Sequence, residues 1–146
     1  MPAPWTIGDR VILVEAKAHI PEMLSPGTRA TGAARDKILA TLTRVRGELV
    51  PKSEVSWDGA FYQYANRIAH LHFLREQQHI NAHLVYVYFL NAPDVDSPAT
   101  QEEWDGATTL MESVLGIRRT RLSRYIHKIF IDVRGLDSGS VKPAEM

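Results

Sequence analysis

Apolar residues recur along this chain with two different periods, and the switch between them predicts an α/β domain. Val11-Ile12-Leu13-Val14, running on into Glu15-Ala16-Lys17, is rich in β-branched residues and begins apolar at both alternating sets, the pattern of a strand covered on both faces. Gly8-Asp9 ahead of it reads as a two-residue hairpin turn, with Trp5-Thr6-Ile7 as a stub of the preceding strand. Pro21, Pro26 and Gly27 then break the chain. From about Thr31 to Leu49 the period becomes helical. Ile38, Leu39, Leu42, Val45 and Leu49 form one stripe, opposite Lys37, Thr41, Arg44 and Glu48, and Pro51 ends the run. A second helix is expected from about Trp57 to Gln78, with a wide apolar sector that includes Phe61, Tyr64, Ile68 and Leu71.

Leu84 to Leu90 is the strongest strand pattern in the sequence, and Asn91 to Pro98 reads as a loop. Thr100 with Glu103 makes a capping box for a third helix to about Leu115, with Trp104 and Met111 on its buried face. A last strand, Ile126 to Val133, precedes a polar tail from Gly135 that is expected to fray. The expectation is one α/β domain over residues 1–134, three-layered, with a small mixed sheet flanked by helices, and a flexible tail over 135–146.

Composition narrows the chemistry. The 146 residues are 45% hydrophobic and 23% charged, ordinary for one globular domain. Lys plus Arg equals Asp plus Glu at 17 each, so no whole-molecule cationic field exists and any grip on nucleic acid must come from local clustering. There is no cysteine, which excludes disulfides, thiolate zinc sites and a cysteine nucleophile. No signal-peptide layout and no apolar run of roughly 18 residues is present, so the expected location is the cytoplasm and no membrane partner is expected.

The end of the first long strand carries the candidate chemistry. Side chains alternate along a strand, so Glu15, Lys17 and His19 point the same way, directly after an apolar run. Ionisable groups in such a place are costly unless paired or ligated. A carboxylate at Glu15 could hold Mg²⁺, with the Ala16 carbonyl as a further ligand, and Lys17 could steady developing negative charge or orient a water. A simple strand-end salt bridge between Glu15 and Lys17 is the competing reading.

Val14-Glu15-Ala16-Lys17-Ala18-His19 resembles the Glu-X-Lys half of the PD-(D/E)XK phosphodiesterase superfamily, the restriction-endonuclease-like fold. Together with Tyr62-Gln63-Tyr64-Ala65-Asn66-Arg67 and Val85-Tyr86-Val87-Tyr88-Phe89, it makes the span from Trp5 to Val133 similar to an uncharacterised bacterial branch of that superfamily. The resemblance implies a nuclease site in which an upstream aspartate and Glu15 hold Mg²⁺ or Mn²⁺, Lys17 assists hydrolysis, and Gln63 is an auxiliary polar residue. It also implies that the superfamily's N-terminal helix and strand are lacking here.

The aspartate of that pattern has no counterpart. A two-residue turn at Gly8-Asp9 places Pro2 opposite Glu15, and Asp9, the sole upstream carboxylate, falls in the turn. Either the natural chain begins further upstream or a metal ligand has been lost. His19 stands on the expected face to compensate, although imidazole suits Mn²⁺ or Zn²⁺ better than Mg²⁺. Arg118, Arg119, Arg121 and Arg124 form the densest basic cluster, readable as a phosphate-backbone grip or as complementation of a helix end. Asn66 and Arg67 read as the polar side of their helix, and His70 and His72, about 200° apart around the axis, as structural histidines. Two functions follow as expectations: a metal-dependent nuclease-like hydrolase of nucleic acid, or a non-catalytic module on the same fold that oligomerises or binds a partner. An exposed sheet edge near Trp5 would favour a homodimer under either.

Overall fold

The computed structural model describes residues 5–136. Strands β1 (Trp5–Ile7) and β2 (Arg10–Lys17) form an antiparallel hairpin through Gly8, whose φ of 63° suits a residue without a Cβ. Helices α1 (Gly32–Leu49) and α2 (Tyr62–His72) follow, the second running into a π turn at Phe73–Gln77. Strand β3 (Asn81–Leu90), helix α3 (Gln101–Leu115) and strand β4 (Ile126–Asp132) complete the domain. The sheet order is β1-β2-β3-β4, antiparallel in the first pair and parallel in the other two, so the sheet is small and mixed as expected. No described helix is long and apolar enough to cross a membrane.

The hairpin register is the expected one, Ile7 opposite Arg10 and Trp5 opposite Ile12; its extension to Pro2 and most of the tail from Gly135 lie outside the described residues. The second helix begins at Tyr62, five residues later than its apolar pattern suggested. Asp58 holds the preceding segment in a loop: its carboxylate accepts from the Thr28 amide at 2.7 Å and pairs with Arg35 at 3.3 Å. Trp57 is buried in that loop, its indole donating to the Leu115 carbonyl at 3.3 Å. Thr100 and Glu103 make the predicted capping box.

All three helices pack their buried residues into one core with Leu13, Leu84, Tyr86, Tyr88 and Leu90. Those strand positions share one face, because β2, β3 and β4 are in register: Glu15, Tyr86 and Lys128 form one row, and Lys17, Tyr88 and Phe130 the next. The one-way strand order explains the arrangement, since right-handed crossovers from β2 to β3 and from β3 to β4 put their helices on the same side. The other face carries Ile12, Val14, Val85, Val87, Phe89 and Ile129, half-buried or exposed and outside the core. This corrects the reading of β2 as covered on both faces: its second apolar set has no helical cover among the described residues. Phe89 belongs to that open face, whereas Tyr86 and Tyr88 are core residues.

Trp104 anchors α3 to the sheet. It is wholly buried, packs with its ring centroid 4.5 Å from that of Tyr88 at a tilt of 35°, and donates to the Phe89 carbonyl at 3.1 Å. Trp104→Ala should cost about 3–5 kcal/mol in chemical denaturation. Leu110→Ala on the solvent side of the same helix, 62% exposed, should stay within about 0.5 kcal/mol.

Candidate functional site

The carboxyl end of β2 meets the first turns of α2, and there the structure brings Glu15, Lys17 and Gln63 together. Lys17 is only 4% exposed, so its ammonium has given up water for protein partners. It donates to the Gln63 Oε1 and to the Glu22 carbonyl, each at 3.1 Å, and stands 3.6 Å from the Glu15 Oε1 and 5.5 Å from the Tyr64 ring centroid. The other Glu15 oxygen, Oε2, accepts from the Arg67 Nε at 2.7 Å. One carboxylate is thus shared between two cations, with the exposed Gln63 at the rim.

Arg67 reaches Glu15 because it lies four residues after Gln63, on the same stripe of α2. Sequence reasoning assigned it to the polar side of the helix; the i, i+4 spacing from Gln63 was the signal that could have found it. Asn66, one position earlier, instead faces a groove beside Ile38 and Thr41 of α1. Below the cluster, Tyr64 and Tyr88 share a hydroxyl–hydroxyl hydrogen bond of 2.9 Å, and the buried Tyr86 hydroxyl has no partner among the described residues. Burial pushes all three phenols above their ordinary range, reinforced by neighbouring tyrosines at Tyr64 and Tyr86 and opposed at Tyr88 by its hydrogen bond with Tyr64, so they stay protonated at neutral pH. A cavity of about 140 Å³ lies against these rings, closed further by Glu112, Arg118 and Lys128.

The metal set expected around Glu15 is not assembled. His19 falls beyond the end of β2, and its Nε2 pairs with Glu22 at 3.2 Å. Ala16 sits within the ladder opposite Val87, its side chain on the open face. Among the described residues Glu15 joins no group of three metal-ligating side chains, and the one such group is Glu48, His72 and Glu76, which could hold a metal ion. An Mg²⁺ or Mn²⁺ ion at Glu15 would find one carboxylate already neutralised twice over, so the residues there do not fit it as they stand.

The arginine cluster is dispersed rather than assembled into a grip. Arg121 clasps Glu76 through two hydrogen bonds, Nε to Oε1 at 2.5 Å and Nη2 to Oε2 at 2.7 Å, and donates to the Glu48 carbonyl at 2.9 Å. Arg124 lies 5.1 Å over the Tyr125 ring, Arg118 lines the cavity, and Arg119 lines a separate groove beside Pro51 and Lys52. The carboxylates that meet Arg121, those of Glu48 and Glu76, come from α1 and the π turn.

The Arg121 clasp has a pH signature. Its hydrogen bonds, opposed by burial and helped by the nearby His72 and the Arg121 charge, hold the Glu76 carboxyl below its ordinary value of 4.5. The folded state therefore binds this proton less readily than the unfolded chain, and the stabilisation is present above that value and lost as pH falls below it. Denaturation midpoints measured from pH 6 down to pH 3 should fall less steeply for Glu76→Gln than for the wild type.

No protein-family model, curated protein or solved structure matches this chain, and its function is therefore read from the geometry of the site.

Proposed function

We propose that this chain is a nuclease-type domain of the PD-(D/E)XK kind, with Glu15, Lys17 and Gln63 as its phosphodiester-directed centre, held in a latched state by Arg67. The observation that carries the proposal is the convergence of Gln63 from α2 on the Glu-X-Lys end of β2: Lys17 and Gln63, 46 positions apart, meet at 3.1 Å beside Glu15. A bare strand-end salt bridge has no need of a glutamine from a distant helix. The latch is the Arg67 guanidinium, which lies on Glu15 at 2.7 Å and supplies the positive charge that a divalent cation would otherwise supply.

In this reading the buried Lys17 supplies a fixed positive charge behind the exposed Gln63, which is the group that meets a phosphoryl oxygen, and Arg67 keeps Glu15 neutralised. No hydrolytic step is routed through a metal, because Arg67 occupies the one carboxylate there that could hold an ion. The restriction-endonuclease-like fold belongs to the same proposal, here with helices on one face of the sheet among the described residues. The competing reading, a non-catalytic module for association with a partner or a second copy, is favoured by the open apolar face with Ile12, Val14, Val85, Val87 and Phe89.

Replacing the latch separates the two. The wild-type chain should show no cleavage of plasmid or single-stranded DNA with Mg²⁺ or Mn²⁺. Arg67→Ala should gain an Mn²⁺-dependent rise in melting temperature of roughly 5–10 °C at about 100-fold excess over Kd. That rise should vanish when Glu15→Gln is added, and any slow nicking should vanish with Lys17→Met. An Arg67→Ala protein that folds yet gains neither Glu15-dependent stabilisation nor nicking would leave the association module as the function.

A further inference from the structure

A second polar cluster lies at the opposite end of α2, away from Glu15 and independent of the reading above. His72 closes α2, Glu76 follows one turn later in the π turn, and Glu48 comes from the last turn of α1. The imidazole of His72 is 2% exposed. Its Nε2 is 2.7 Å from the Glu48 Oε2 and 2.9 Å from the Glu76 Oε2, yet neither contact is aligned as a hydrogen bond, and both ring nitrogens are without hydrogen-bond partners. A buried nitrogen left unsatisfied between two carboxylates is unusual, since such groups are normally bonded or ligated.

Ligand atoms about 2.1 Å from one ion, at angles between a right angle and tetrahedral, stand roughly 3.0–3.4 Å apart. The two nitrogen–oxygen separations fall a few tenths of an ångström short of that range, and the three atoms all lie within 4.8 Å of one another. Small rotations of Glu48 and Glu76, which are 40% and 28% exposed, open the space an ion needs. One imidazole with two carboxylates, and a fourth position open to water, suits a zinc-class divalent ion; Mg²⁺ and Ca²⁺ prefer oxygen ligands throughout.

We propose that Glu48, His72 and Glu76 form a zinc-class metal site that ties the C-terminus of α1 to the end of α2, with Arg121 as its built-in competitor. Arg121 donates to both oxygens of Glu76 and stands 4.0 Å from the Glu48 Oε2. It neutralises the carboxylates in the ion-free protein, and the ion displaces its Nη2 from the Glu76 Oε2. Its charge opposes the ion's entry, so the arginine sets the affinity from outside the ligand set.

The test is calorimetric titration of the metal-free full chain with Zn²⁺, paired with Co²⁺ absorption as a report on coordination. One site is expected, with a d–d band of the low-coordinate type. Glu48→Gln, which keeps the side chain's shape at a 40% exposed position, should weaken Zn²⁺ binding at least tenfold, as should Glu76→Gln. Arg121→Ala should tighten it severalfold, although the same substitution removes an ion pair and lowers stability in the absence of metal. Absence of Zn²⁺ binding overturns the proposal, and so does binding that survives Glu48→Gln. Binding lost instead with His127→Ala assigns the ion to the surface pair His83 and His127, whose ring nitrogens approach to 3.0 Å, and equally overturns it.

Discussion

An ammonium group sealed from water at the end of a β-strand sets the terms for much of this molecule. Lys17, 4% exposed, points from β2 into the helical layer, where removing its hydration is tolerable only if other groups replace it. The replacements come from three directions: the Gln63 side chain on α2, the Glu22 carbonyl in the turn after β2, and the Glu15 carboxylate two residues back. Each partner is thereby fixed in place. α2 must approach β2 closely enough for Gln63 to reach, and the chain after β2 must turn back at once. The salt bridge from Arg67 to Glu15 extends the same logic one helical turn further along α2.

The two charged clusters at the ends of α2 are built alike. In each, one or two carboxylates are held close to a buried basic group, and an arginine from another turn or segment adds a further positive charge: Arg67 at Glu15, Arg121 at Glu48 and Glu76. Breaking such an arrangement by removing one member is costly because it strands the rest in a poorly solvated place. Each arginine therefore occupies ground that a divalent cation would contest. They differ in ligand chemistry: the first cluster offers a single carboxylate, the second two carboxylates and an imidazole.

Between these ends, the sheet divides the molecule into unequal halves. Its inner face is packed by Tyr64, Tyr88 and Trp104 in mutual ring contact distance or hydrogen bonding, with the helices over it. Its outer face keeps an apolar set of β-branched residues and Phe89 without helical cover among the described residues. Strand order decides this, because successive parallel strands added in one direction leave all their crossovers on one side.

Much was readable from local pattern. The β-branched and aromatic apolar runs of β2 and β3, the stripe of α1, the capping box of α3 and the glycine-first hairpin are properties of short windows, governed by backbone sterics and local propensity, so the elements and the β1–β2 register followed from residues alone. The adjacency of Glu15 and Lys17 was of the same kind. What only the tertiary structure decided were meetings between distant segments: Arg67 with Glu15, His72 between Glu48 and Glu76, Arg121 across to the π turn, and His19 turned away to Glu22. A hydrogen bond or ion pair depends on where two backbones come within a few ångströms of each other, and that is set by strand order, crossover hand and core packing. None of these is encoded in the spacing of residues along either segment by itself.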